Sequence, residues 1–127
     1  MSNELQTDEF LSRGELQRII EHEIIERHKE TQDSRRRTPR FPLSGFAKCM
    51  HLNRDLSPKG PTFSAKCRDI STEGIGLICT DRVNIEDLVA IRVPALGPQT
   101  ILAKVQWIRA VGHFQSSFDV GLQFVSR

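Results

Sequence analysis

From residue 44 onward, apolar side chains recur at every second position, a period that fits a β-strand and not a helix. Phe63, Ala65 and Cys67 alternate with Ser64, Lys66 and Arg68, and Val89, Ile91 and Val93 alternate with Ala90 and Arg92. Ile101, Ala103, Val105 and Trp107 alternate with Leu102, Lys104 and Gln106. Phe118, Val120, Leu122 and Phe124 alternate with Asp119, Gly121 and Gln123. Residues 44–51 and 75–80 read as two weaker strands. Turn-forming stretches at Arg54–Pro61, Asp81–Asp87, Gly97–Gln99 and Gly112–Gln115 separate them. Six short strands with no interleaved helix predict a mainly β fold, a six-stranded antiparallel barrel.

Ahead of the barrel the period is helical. Residues 7–30 predict one helix, with Thr7 as cap and Asp8 and Glu9 in a first turn that suits the dipole. Leu16, Ile19, Ile20 and Ile24 form its apolar stripe, barely two heptads long and too short for an extended coiled coil. The barrel, a second subunit or another partner must cover that stripe, so a homo-oligomer through the helix stays open. Residues 31–42, TQDSRRRTPRFP, read as a linker, because Pro39 and Pro42 disfavour helix just before them. At 127 residues the chain has room for one core.

Several classes drop out. No apolar run approaches the ~20 residues of a membrane span, and MSNELQTDEF lacks the apolar centre of a signal peptide. Cys49, Cys67 and Cys79 are odd in number and widely spaced, which favours reduced thiols in a cytoplasm. No HExxH or GxSxG occurs, and Gly74-Ile75-Gly76 lacks the lysine and helix of a phosphate loop, so no enzyme is expected. Cys49 and His51 share a strand face, but no CxxC pair supports a metal site.

Charge is uneven. Residues 1–30 carry eight acids and four bases; residues 31–127 carry eight acids and fourteen bases, a basic unit behind an acidic leader. Arg35, Arg36, Arg37 and Arg40 fall within six positions. Such a run is either a solvated linker or a grip for phosphate, since a guanidinium binds phosphate oxygens bidentately and stacks on a planar base. Asp69-Ile70-Ser71-Thr72-Glu73-Gly74 is equally double-edged. It makes a plain turn, with Gly74 available for positive φ, yet its aspartate can accept from the N1–H and N2–H₂ of a guanine.

Together, Arg36-x-x-x-Arg40 and Asp69-x-Ser71-x-x-Gly74 resemble the PilZ domain family, small antiparallel barrels that bind the bacterial messenger cyclic di-GMP. AKVQWIRA (103–110) is similar to the family's late strand and DVGLQF (119–124) to its closing strand. The resemblance covers residues 35–127, placing a PilZ-type barrel at 34–127 behind an N-terminal helix and linker at 1–33. Many relatives add a helix after the last strand; here the N-terminal helix is the available cover.

The resemblance implies a non-catalytic cyclic di-GMP receptor with no other cofactor. Arg36 and Arg40 would hold phosphate and guanine, Asp69 and Ser71 would read a guanine edge, and Gly74 would allow close approach. Arg37 adds positive field. Arg35, directly before the motif, goes in the family with two intercalated ligand molecules per chain. Trp107 is in phase with Val105, which favours the core, while in similar domains it lies near the site. Arg68 stands as a surface residue or a rim cation. Ligand capture would order the linker, reposition the helix and alter contact with a downstream protein. The alternatives are a PilZ-scaffold interaction module without nucleotide, and a small barrel binding RNA or DNA. Scarce aromatics argue against a nucleic-acid polymer.

Overall fold

The computed structural model describes residues 5–7, 9–26, 39–111 and 117–126. Its strands are β1 (Phe41–Pro42), β2 (Phe46–Leu52), β3 (Pro58–Ile70), β4 (Gly74–Cys79), β5 (Leu88–Arg92), β6 (Ile101–Val111) and β7 (Ser117–Phe124). Six of them pair in the order β3-β2-β5-β6-β7-β4, and β3 also pairs with β4, closing an antiparallel barrel. Closure leaves the long strands no free edge. The two residues of β1 lie against Ile70 and Asp69 at the end of β3.

β3 begins earlier than expected. The reversal is complete within Asn53–Ser57, where Asn53 N donates to Ser57 O at 2.9 Å and Leu56 takes φ 70°. Pro58 and Pro61 are then already strand, at its exposed start, where a missing N–H is tolerated. The turn expected at Gly112–Gln115 lies outside the described residues.

The helix also departs from expectation. Helix α1 spans Arg13–Ile20 and continues as a π turn over Glu21–Ile25. Thr7 is not its cap. Ser12 is extended (φ −69°, ψ 157°), its Oγ accepts from Glu15 N at 3.1 Å, and it donates to Glu15 Oε1 at 3.0 Å. A Ser followed three residues later by Glu makes this reciprocal pair, whereas Thr7 is followed by Phe10. Ahead of Ser12, Phe10 bridges Thr100 in parallel, and Leu11 N donates to Thr100 O at 2.9 Å. The expected helical stretch 27–30 lies outside the described residues.

The helix stripe joins the barrel's own core. Leu16, Ile20 and Ile24 are buried among Ile70, Ile75, Val89, Ile101, Val105 and Phe124, with Ile19 half-buried beside them. Each such side chain contributes roughly 1.5–3 kcal/mol on burial. Arg13 Nη1 donates to Phe124 O at 2.9 Å, fixing the helix start on the end of β7. A second cluster forms on the outer face of β2, β5 and β6, where Leu5 and Phe10 cover Met50, Leu52, Ala90 and Leu102. These strands are therefore apolar on both faces, and their alternation is weaker than a one-sided barrel predicts.

Candidate functional site

Two register shifts build the site. On β3, Cys67 pairs with Leu77 but Asp69 pairs with Gly76, so Arg68 is an extra residue. On β6, Val105 pairs with Leu122 and Trp107 with Gly121, so Gln106 is extra. A bulge reverses the facing of the residues beyond it. Cys67 stays inside while Arg68 and Asp69 both emerge. Val105 stays buried while Trp107 emerges 37% exposed. The core position that phase suggests for Trp107 is thus overturned by the bulge at Gln106.

The emergent residues meet on a bare floor. Gly76 and Gly121 are cross-strand partners on β4 and β7, between Asp69 on one side and Trp107 on the other. A Cβ on Gly121 would collide with the Trp107 indole, and one on Gly76 with the Arg68 guanidinium. Both side chains lie flat because the floor has no side chains of its own. Arg68 Cζ sits 5.2 Å from the indole centroid, in cation–π range. A glycine inside a strand signals close approach, and Gly76 and Gly121 are the sequence features that mark this region.

The linker end is delivered to the same place. Phe41 is buried and pairs with Ile70, Pro42 pairs with Asp69, and Leu43 N donates to Arg68 O at 3.1 Å. Arg40 Nη1 consequently donates to Asp69 Oδ1 at 2.8 Å. Charge pairing continues along the floor. Arg68 Nη1 donates to Asp119 Oδ2 at 2.6 Å and Arg109 Nη2 to the same oxygen at 2.9 Å. Arg68 Nε lies 3.4 Å from Asp69 Oδ2, a charge contact without hydrogen-bond alignment. Sequence reasoning missed Asp119 and left Arg68 undecided.

The Ser71–Gly74 turn closes the end. Ser71 N donates to Gly74 O at 2.9 Å, and Ser71 Oγ accepts from Glu73 N and Gly74 N at 3.2 Å each. Those bonds leave the hydroxyl its donor. Gly74 does not take positive φ; it is required because a Cβ would collide with Leu122 O on β7. Arg40, Ser71, Gly74, Trp107 and Gly121 line a cleft of about 250 Å³. Arg35, Arg36 and Arg37 lie outside the described residues.

The cysteines and His51, considered as metal ligands from the sequence, are engaged elsewhere. Cys49, Cys67 and Cys79 are free and buried, and no group of metal-binding side chains occurs among the described residues. His51 instead lies 5.0 Å from the Phe63 ring. Burial pushes all three thiols up, Cys67 to about 11.

The family model of the PilZ domain matches residues 34–127. The chain belongs to the PilZ domain family. Among solved structures its PilZ domain is similar to MrkH from K. pneumonia in complex with c-di-GMP: TM-score 0.54, 21% identity, covering 75% of this chain and 45% of that one. MrkH in its apo state aligns at TM-score 0.52 and 18% identity, covering 75% and 44%. The chain thus spans less than half the length of these MrkH structures, and the likeness is one of fold. The PilZ domain with c-di-GMP of YcgR from Escherichia coli aligns at TM-score 0.45 and 18% identity, covering 72% and 79%. Among curated proteins, none matches the chain. Among the described residues of this PilZ protein, no helix is long and apolar enough to cross a membrane.

Proposed function

We propose that the chain is a non-catalytic bacterial receptor for cyclic di-GMP, acting in the cytoplasm. The observation that carries this is the meeting of the two motifs: Arg40 of the first bonds Asp69 of the second at 2.8 Å, at the rim of the cleft formed by Ser71, Gly74 and Trp107. Family membership and the c-di-GMP named with MrkH support the same ligand.

The chemistry suits it. Asp69 is an acceptor for guanine N–H groups, Ser71 keeps a donor, and Trp107 offers an aromatic face. Arg40, with Arg36 from the linker, supplies guanidinium for phosphate, and Arg37 adds charge. Arg40 exchanges its bond to Asp69 for one to the ligand, so the linker closes over the cleft. The N-terminal helix at the linker's other end then shifts its contact with a downstream protein. Arg35 brings the count to two stacked cyclic di-GMP molecules per chain.

Calorimetric titration with cyclic di-GMP, GTP and a mixed oligonucleotide tests this. Saturable uptake of cyclic di-GMP alone is expected, with an end-point at two per chain that Arg35→Leu moves toward one. Binding of the oligonucleotide without cyclic di-GMP overturns the receptor reading, and an end-point at one overturns the stacked pair.

A further inference from the structure

Asp119 is the buried centre of the charge ladder, with a side chain only 5% exposed, and it serves two arginines through one oxygen. Its other oxygen, Oδ1, is buried without a partner. A buried carboxylate is costly unless what it holds is worth holding. Of its two guanidinium partners, Arg109 is 70% exposed and Arg68 29%. Arg68 is the one that continues inward, to Asp69 and to the Trp107 indole. The floor beneath it is glycine, so no side chain there restrains Arg68; Asp119 does.

We propose that Asp119 is a positioning residue for ligand binding, acting through Arg68 to hold Trp107 and Asp69 in place at the cleft. This rests on the cyclic di-GMP reading. A guanidinium bonded to one carboxylate and in charge contact with a second is restrained from swinging away, and it loses little freedom when a ligand arrives. Arg109 shares the oxygen but makes no ion pair with Asp69 and no cation–π contact with Trp107, and it serves as the internal control.

The test is a cycle of Arg68→Ala, Asp119→Ala, the double variant and Arg109→Ala, each titrated with cyclic di-GMP and melted. Trp107 is the only tryptophan, so emission reports this wall alone. Arg68→Ala and Asp119→Ala should each weaken binding about tenfold, the scale of a lost charged hydrogen bond. Both should shift the Trp107 emission of ligand-free protein in the same direction. The double variant should bind no more weakly than Arg68→Ala, and Arg109→Ala should bind like the parent. Additive losses, or losses that follow the melts with unmoved emission, overturn the positioning role. If the parent takes up no cyclic di-GMP, the receptor reading itself fails and the proposal falls with it.

Discussion

Arg40 and Asp69 stand 29 positions apart in the chain and 2.8 Å apart in space, so each is the other's main neutralising charge. Arg40→Ala should weaken cyclic di-GMP binding tenfold or more, from roughly 1.5–3 kcal/mol for a charged hydrogen bond. Its effect on melting should be small, because a pair about a third exposed contributes ~0–1 kcal/mol. Titration beside thermal melts separates the two. The glycines test the floor. Gly121→Ala should displace the indole, shifting Trp107 emission and weakening binding. Gly74→Ala meets a strand carbonyl instead and should cost about 1–3 kcal/mol of stability by overpacking, read in melts. Arg40, Asp69, Ser71 and Gly74 were legible in the sequence because their chemistry and spacing sit in one short turn and one linker. Arg68, Asp119 and the outward Trp107 were not. Alternation assigns facing by parity, and the bulges at Arg68 and Gln106 break parity where the bulged strand itself has no glycine or proline beside them; the glycines stand on the partner strands.

At the level of elements, the start of α1 separates two candidate caps. Ser12→Ala should lower stability by about 0.5–2 kcal/mol, and Thr7→Ala should leave it unchanged, both measured by denaturant melts. Equal effects would restore a helix from Thr7. The helix stripe was legible from its spacing, and so was its need for cover. What the sequence leaves open is which surface answers that need, because Leu16, Ile20 and Ile24 fit a barrel end and a second subunit equally well. The strand count was legible too. The short β1 was hidden by the prolines flanking Phe41, whose burial beside Ile70 turns a linker residue into an anchor.

For the whole molecule, the interior thiols set a limit in alkali. Burial raises Cys67 from its ordinary 9.0 to about 11. Unfolded chains release that proton first, so the stabilisation is complete below 9 and is lost as pH rises through about 11. Melting temperature should fall across that window, and less steeply in Cys67→Ala; equal slopes would show that the thiol is not the cause. The same compact body fixes the linker at two points, Ile24 and Phe41, both buried in it. Four residues of chain span at most about 14 Å between Cα atoms, which sets the backbone tether between positions 36 and 40. Tethering at such range amounts to a millimolar or higher effective concentration at the cleft, however dilute the protein. On the proposed receptor reading, linker arginines that grip a cleft-bound ligand do so in a first-order step, whose rate does not depend on how much of the chain is present.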